Sequence, residues 1–563
     1  MRSNLLLSSF WAAIISLFLF SSVAISDDEK DDHADEDIKY HPLFNNDNPM
    51  ADFIGIHSKE FWEIDNEDYS ARRCERRKNH RPGRLLNCVT VEAVRAHQRA
   101  MQDIADATGG NRVAGSDGHD RSAEYVRDQL LAAGYQVRMQ EFSFQTFRPE
   151  GPSTLEQTAP VALTYIENTD YRLMSQTDAG TASANVTAVD LAPGAGNTSS
   201  SGCEATDFAG FPRGHIALVQ RGACSFRLKA ENAAAAGALG VIIFNQGNSP
   251  DRTGLINATL SADYTGGIPV FFATYENGIS WAETAGLSLN MVADVFRGEA
   301  VTNNVIAESA KGDPTNVVML GAHLDSVNEG PGIQDNGSGS AAILEVALQM
   351  KNVKPNNKLR FAWWSGEESG LIGSDFYVDS LTPEEHDSIA VYLNFDMIGS
   401  PNFARFVYDG DGSDFGLSGP LGSAAVEKYF ELFYSVQGYA SQGTEISFRS
   451  DYARFFETGI PFGGLFTGAE GLKTAEQVLV YGGTEGEQYD PCYHLACDTY
   501  DNINLDALSL NADSAALAAL LFSKTSAPID AQQVPVAAPT LRAFSSNTND
   551  ISEVDTRGNY YVR

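Results

Sequence analysis

The chain has 563 residues, 43% of them hydrophobic, with 74 acidic against 39 basic side chains and a formal net charge of −35 at pH 7. That length buries enough apolar surface for two or three stable domains, and the composition excludes a disordered chain. The acidic excess argues against a nucleic-acid partner, because phosphate binding needs stripes of Lys and Arg.

Residues 1–26 combine Arg2, an apolar run centred on Trp11 to Phe20, and the small residues Ser22, Ala24 and Ser26. This is the pattern of a secretory signal peptide, and the run is short of the ~20 residues that span a bilayer. A secreted or periplasmic protein is therefore expected, with no membrane partner after signal removal. Residues 27–90 open on an acidic stretch and read as an N-terminal extension or propeptide. Within them the basic cluster around residues 71–84 reads as a processing or pro-domain surface.

From Val89 a helical pattern with Val91, Val94 and Met101 runs to the turn Gly109-Gly110. A second amphipathic helix ends at Gly134 and a strand follows, which makes residues 91–155 the first part of a catalytic domain. Residues 156–298 change texture to short β-like runs around one Ala-rich helix, and read as a separate module. His215 is the sole histidine in that stretch and reads as structural. Strands alternate with helices again over 299–525, which implies a mainly parallel sheet flanked by helices. Residues 526–563, rich in Pro, Ala and Ser, read as a flexible tail.

Six cysteines fall into three local pairs: Cys74 with Cys88, Cys203 with Cys224, and Cys492 with Cys497. In an exported chain such pairs favour disulfides, with a structural zinc as the alternative.

Ligands of open α/β sheets bind outside the carboxyl ends of the strands. His323 ends "VVMLGAH", Glu367 and Glu368 follow "RFAWWSG", and Asp396 follows "VYLNF". Asp335 lies in the Gly-rich loop "GPGIQDNGSGS", and His494 sits between Cys492 and Cys497. Each residue taken alone has a bland reading as a cap, a turn or an exposed helix start. Together, imidazoles, carboxylates and an adjacent glutamate pair let some groups bind a divalent cation while a neighbour handles a proton, the chemistry of metal-assisted hydrolysis.

The segments "GAHLDSVNEGPGIQDNGSGSAAILEVAL", "LRFAWWSGEESGLIGSDFYV", "NFDMIGSPN" and "YHLACDTYDNIN" make the chain similar to the secreted bacterial double-zinc aminopeptidases, over about residues 90–525. The 156–298 module resembles a protease-associated domain inserted in the catalytic domain, including its Cys203/Cys224 pair. The resemblance implies a zinc-exopeptidase sandwich with two Zn²⁺ per chain. It makes Asp335 the bridging ligand, with His323 and Asp396 on one ion and Glu368 and His494 on the other. It further implies attack by metal-bound water with Glu367 as general base, Tyr493 as oxyanion stabiliser, Asp325 orienting the imidazole of His323, and Arg449 near the free-amine pocket. Where the family commonly has "SDH", this chain has Ser450, Asp451 and Tyr452, a change that bears on pocket shape and not on the five ligands.

The expected reaction is removal of single N-terminal residues from peptides, with a hydrophobic preference such as Leu suggested by "GGLFTG" and "FARF". The alternative is a metallo-carboxypeptidase or dipeptidase using the same two-zinc site, in which Arg405, Arg449 or Arg454 would meet a substrate carboxylate. Glutaminyl cyclisation needs one metal only. A binding protein on a dead scaffold would show a lost ligand, and none is lost. The inserted module, with no clustered His, Glu or Asp, reads as a lid or substrate-positioning domain.

Overall fold

Two eight-stranded sheets carry the chain in the computed structural model, which describes residues 48–63, 74, 76 and 78–532. The expected signal peptide, and residues 533–563 of the expected tail, lie outside the described residues.

In the catalytic sheet the strand order is Gln136–Pro149, Val295–Glu308, Asn357–Trp364, Asp313–His323, Ile389–Phe395, Phe462–Phe466, Phe406–Tyr408 and Gln442–Thr444. The four strands from Asn357–Trp364 to Phe462–Phe466 run parallel. Their sequences are almost continuously apolar because both faces are covered, as parallel strands require. On one face Met319, Trp364, Tyr392 and Phe462 pack with Tyr377 and Phe455, and the Tyr392 and Phe455 rings stack at 3.9 Å. On the other face the Trp363 indole donates to the Ser340 carbonyl of helix Gly337–Met350 at 3.0 Å, and Tyr135 meets Phe361 edge-on at 5.8 Å.

The sheet is mixed at its margins. The strands containing "NVIAES" and "FVY" pair antiparallel with Asn357–Trp364 and Phe462–Phe466 respectively, so the sheet is mainly, not wholly, parallel. The first does so because it returns from the insert directly alongside Gln136–Pro149. Those two strands pair over 14 residues, from Gln136↔Glu308 to Pro149↔Val295. The chain therefore leaves for the insert after Pro149 and is back in the catalytic sheet at Val295, several residues before the expected boundary at 298.

The second sheet has the order Leu163–Tyr165, Thr154–Ala159, Ser288–Ala293, Gly180–Ala188, Ile216–Gln220, Gly240–Phe244, Val270–Ala273 and Tyr171–Leu173. It is apolar on both faces. Val219, Val241 and Phe272 join Phe226 and Ala230 of helix Phe226–Ala236, while Leu218, Ile242 and Phe271 pack with Leu289 and Trp281. Ser225 caps that helix by accepting the Leu228 amide, and Gly237 ends it at φ 91°, a conformation that costs glycine no side-chain clash. His215 hydrogen-bonds Thr187 at 2.9 Å, in keeping with a structural role.

All six cysteines form the three expected disulfides, with Cα separations of 5.5, 5.8 and 5.3 Å, which removes the zinc–thiolate alternative. Part of the expected N-terminal extension packs on the catalytic domain. Met50, Ile54, Leu85 and Leu86 are buried there, and Phe53 lies against Tyr429. Arg81 of the basic cluster is held by Glu60 and Glu63. The start of the expected tail is also ordered, because Ile529, in helix Ala527–Asp530, is fully buried. Helix Leu505–Lys524 is long and apolar enough to cross a membrane, yet 83% of an 18-residue apolar stretch of it is buried inside the protein as a core helix.

Candidate active site

The carboxyl ends of the parallel strands bring the predicted residues together. His323 is the last residue of Asp313–His323, Asp396 follows Ile389–Phe395, and Glu367 and Glu368 follow Asn357–Trp364. Asp335 closes the loop before helix Gly337–Met350, whose Asn336 cap accepts the Gly339 amide. Asn336 is completely buried, so its N-x-S sequence is no glycosylation site. His494 stands on the turn clamped by Cys492–Cys497.

Asp335 lies between two imidazoles. Its Oδ1 is 3.2 Å from His323 Nε2 and its Oδ2 is 3.2 Å from His494 Nε2. His323 Nε2 also faces Asp396 Oδ1 at 3.3 Å and Glu367 Oε2 at 4.0 Å, while His494 Nε2 faces Glu368 Oε2 at 3.1 Å. The site thus has two halves that share one carboxylate.

A surrounding layer of polar groups fixes these side chains. His323 Nδ1 donates to the Asp325 backbone oxygen at 3.1 Å, leaving Nε2 to point into the site. The Asp325 carboxylate, 3.7 Å from the same ring nitrogen, accepts the amides of Glu367 and Glu368 at 3.2 and 3.4 Å and so orients the glutamate pair. Asp498 accepts the amides of Gln334 and Asp335 at 2.8 and 3.0 Å. Ser450 donates to Asp396 Oδ2 at 2.5 Å. Arg112, fully buried, donates to the carbonyls of Leu324, Pro331 and Gly332 and holds the loop on which Asp335 rides. Asp498, Ser450 and Arg112 went unassigned at the level of sequence, since their partners lie far along the chain and no local pattern marks them.

The electrostatics describe a site short of positive charge. Burial works against a charged His323 ring, but Asp396, Glu367 and Asp335 outweigh it and raise its pKa well above the usual value. His494 is raised likewise, with Glu368 and Asp335 overcoming burial. Burial, reinforced by Glu368, Asp396 and Asp451, lifts Glu367 well above the carboxylate range. Glu368 is pushed up to about 7 by burial and Asp335, against the pull of His494. Asp335 is held low by the two imidazoles in spite of its burial.

The clustered residues fit a bound metal. His323 Nε2 and Asp396 Oδ1 are buried, 3.3 Å apart, and neither has a hydrogen-bond partner. Zinc ligated at ~2.0–2.1 Å in tetrahedral geometry places adjacent donor atoms about 3.3–3.4 Å apart, close to the separations above. Two groups of potential ligand atoms, His323 with Glu367 and Asp396, and His323 with Asp335 and Glu368, are each close enough to hold an ion.

These residues open on a cavity of about 90 Å³ whose other walls include Met397, Tyr408, Thr444, Glu445, Phe466 and Tyr493. Arg449 lines it too, donating to Glu470 at 2.7 Å and to the Tyr493 hydroxyl at 3.2 Å. The departure at Tyr452 is absorbed locally. Its ring stacks on Phe462 at 4.6 Å and its hydroxyl accepts the Phe448 amide at 2.8 Å, pinning the turn that carries Arg449. A second cleft of about 740 Å³ runs from Glu368 and His494 to Glu167, Asn168, Arg172 and Asn257 of the insert.

Residues 304–519 match peptidase family M28, and residues 185–281 match the PA domain. An aminopeptidase of Pseudomonas aeruginosa strain UCBPP-PA14 is 56% identical over 446 residues, which are 79% of this chain and 83% of that protein. Leucine aminopeptidase 2 of Trichophyton rubrum is 40% identical over 448 residues, 78% of this chain and 86% of that protein. Among solved structures, a zinc aminopeptidase from Bacillus subtilis superposes with a TM-score of 0.54 at 25% identity, covering 76% of this chain and 95% of its own. An aminopeptidase from Aneurinibacillus sp. strain AM-1 gives 0.52 at 26% identity, with 78% and 95% covered. With these matches, the chain belongs to peptidase family M28 as a metalloexopeptidase with an inserted PA domain.

Proposed function

We propose that the protein is an exported aminopeptidase that uses two Zn²⁺ ions to release hydrophobic residues such as Leu from peptide N-termini. The observation that carries this reading is Asp335, whose two oxygens face two imidazoles, each of which faces a further carboxylate. In this reading Asp335 would serve both ions, His323 and Asp396 would hold one of them, and Glu368 and His494 the other. The bound zinc pair supplies Lewis acidity to the scissile carbonyl and to water.

The chain's own groups do the rest. Glu367, buried beside the ligands and with a raised proton affinity, takes the proton of the attacking water and returns it to the departing amine. The Tyr493 hydroxyl, which Arg449 polarises, donates to the oxyanion. The remaining carboxylate charge attracts the substrate ammonium, and Met397, Tyr408 and Phe466 offer its side chain an apolar wall. Arg449 has the same charge as that ammonium, so its role is to hold Tyr493. The peptide beyond the scissile bond follows the larger cleft toward Arg172, which gives the insert, residues 150–294, a substrate-positioning role.

The carboxypeptidase alternative is less well supported. Arg449 is engaged by Glu470 and Tyr493, Arg454 by Asp379 and Glu457, and Arg405 lies over the rings of Phe403, Tyr439 and Tyr481. The test uses leucyl-p-nitroanilide and its N-acetylated form. Hydrolysis of the first only, lost to a chelator and restored by Zn²⁺, is expected; equal hydrolysis of both overturns the proposal.

A further inference from the structure

The larger cleft carries opposite charge at its two ends. Glu368, and Glu329 on the loop between His323 and Asp335, line it beside the candidate metal centre, whereas Arg148 and Arg172 line it toward the insert. Both arginines stand on strands, which hold a side chain more precisely than loops do. Arg148 belongs to Gln136–Pro149 and lies over the ring of Phe296, its partner across the ribbon, at 4.4 Å. Arg172 belongs to Tyr171–Leu173, at the edge of the insert sheet. Its neighbour Tyr171 anchors that strand by stacking on Phe271 at 5.0 Å and donating to the Ser153 carbonyl at 2.9 Å.

Neither guanidinium is saturated by the protein. Arg172 donates to two neutral amides, from Nε to Asn168 Oδ1 at 3.0 Å and from Nη1 to Asn257 Oδ1. Among the described residues no carboxylate makes an ion pair with it, Glu167 at the same end of the cleft included. The two amides thus orient the fork of donors without cancelling its charge, and Nη2 is left to meet a ligand. Arg148 Nη2 reaches Glu150 at 3.3 Å, but Nη1 is buried with no hydrogen-bond partner. A buried donor without an acceptor opposes folding, and an anion entering the cleft removes that penalty. A planar guanidinium suits a carboxylate above other anionic groups of a peptide.

We propose that Arg172, assisted by Arg148, binds a substrate carboxylate several residues beyond the scissile bond, a step that rests on the aminopeptidase reading of the same cleft. The order of charge along the cleft is that of a peptide laid out with its ammonium at the acidic end. The terminal carboxylate of a short peptide and the side chain of Asp or Glu in a longer one offer the same chemistry.

The test measures kcat and KM of the zinc-loaded full chain for leucyl-oligoglycines of rising length, each as free acid and as C-terminal amide. At the length that reaches Arg172 the free acid should exceed the amide by about tenfold in kcat/KM, the size of one charged hydrogen bond. The gain should lie in KM, because a contact remote from the scissile bond is made equally in ground and transition states. Arg172→Gln should bring the acid-to-amide ratio close to one, Arg172→Lys should keep part of it, and Arg148→Gln should reduce it. A ratio taken within one variant is independent of how much of that variant is folded. Amidated peptides with a single Asp at the same position separate the two sources: recovery of the gain assigns the site to acidic side chains as well, and no recovery assigns it to the chain terminus. Equal kcat/KM for acid, amide and Asp-containing peptides at every length overturns the proposal, as does a preference that survives Arg172→Gln. In either case turnover of leucyl-p-nitroanilide by the wild type leaves the aminopeptidase reading standing, whereas its absence overturns both.

Discussion

The two sheets of this protein bury opposite things. The insert encloses apolar side chains on both faces, and among its described residues Lys229 alone carries a buried charge, its ammonium donating to the Ser201 carbonyl. The catalytic sheet, by contrast, buries His323, Asp325, Asp335, Glu367, Asp396, Asp451 and Asp498 around the carboxyl ends of its strands. Desolvated carboxylates in such number oppose folding unless a cation compensates them. The insert therefore depends for stability on its core, and the catalytic end on what it binds. Local rules of good packing are broken around the clustered site and kept in the core of the insert.

The sharpest way to break this contrast is to neutralise one buried acid without touching the fold. Glu367→Gln should lower kcat by roughly 10²–10⁴ while leaving metal content unchanged, because a positioned proton-transfer group contributes on that order. Metal analysis and steady-state kinetics together read the outcome, and a loss smaller than tenfold would assign the proton transfer elsewhere. A weaker but more global test is removal of zinc. If free zinc stands at about 1,000 times its Kd, binding contributes roughly 4 kcal/mol to the state that holds it. Calorimetry of the chelated protein should then show the catalytic transition at lower temperature and the insert transition unmoved; equal shifts would erase the distinction between the regions.

The smallest effect concerns Lys229. Burial lowers its pKa from 10.5 to about 8 in the folded insert. Between those values the unfolded chain binds the proton and the folded one does not, so stability rises with pH across that window and the penalty is fully present below pH 8. The difference in insert melting between wild type and Lys229→Met, followed from pH 8 to 10, should narrow as pH rises. A constant difference would mean that Lys229 stays charged inside the insert.

The sequence made some of this visible and hid the rest for a physical reason. His323, Glu367, Glu368 and Asp396 stood out because each interrupts or ends a run of apolar residues, and a polar group at that boundary reaches the edge of a parallel sheet. Asp335 and His494 stood out through glycines and cysteines beside them. Arg112 had no such marker, since its carbonyl partners Leu324, Pro331 and Gly332 lie more than two hundred positions away. The antiparallel strands toward the margins of the sheet were hidden too, because an apolar strand reads the same whichever way its neighbour runs.

The strand pair Gln136–Pro149 and Val295–Glu308 has a mechanical consequence. A module hung on two single chains swings freely about them; this one is mounted on a hydrogen-bonded ribbon that resists shear. Arg297 rivets the far end of that ribbon to the insert, reaching Asp178 at 3.0 Å and the carbonyls of Ala262 and Tyr264 at 2.7 Å each. Displacing the insert therefore means twisting a two-strand spring anchored in the catalytic sheet.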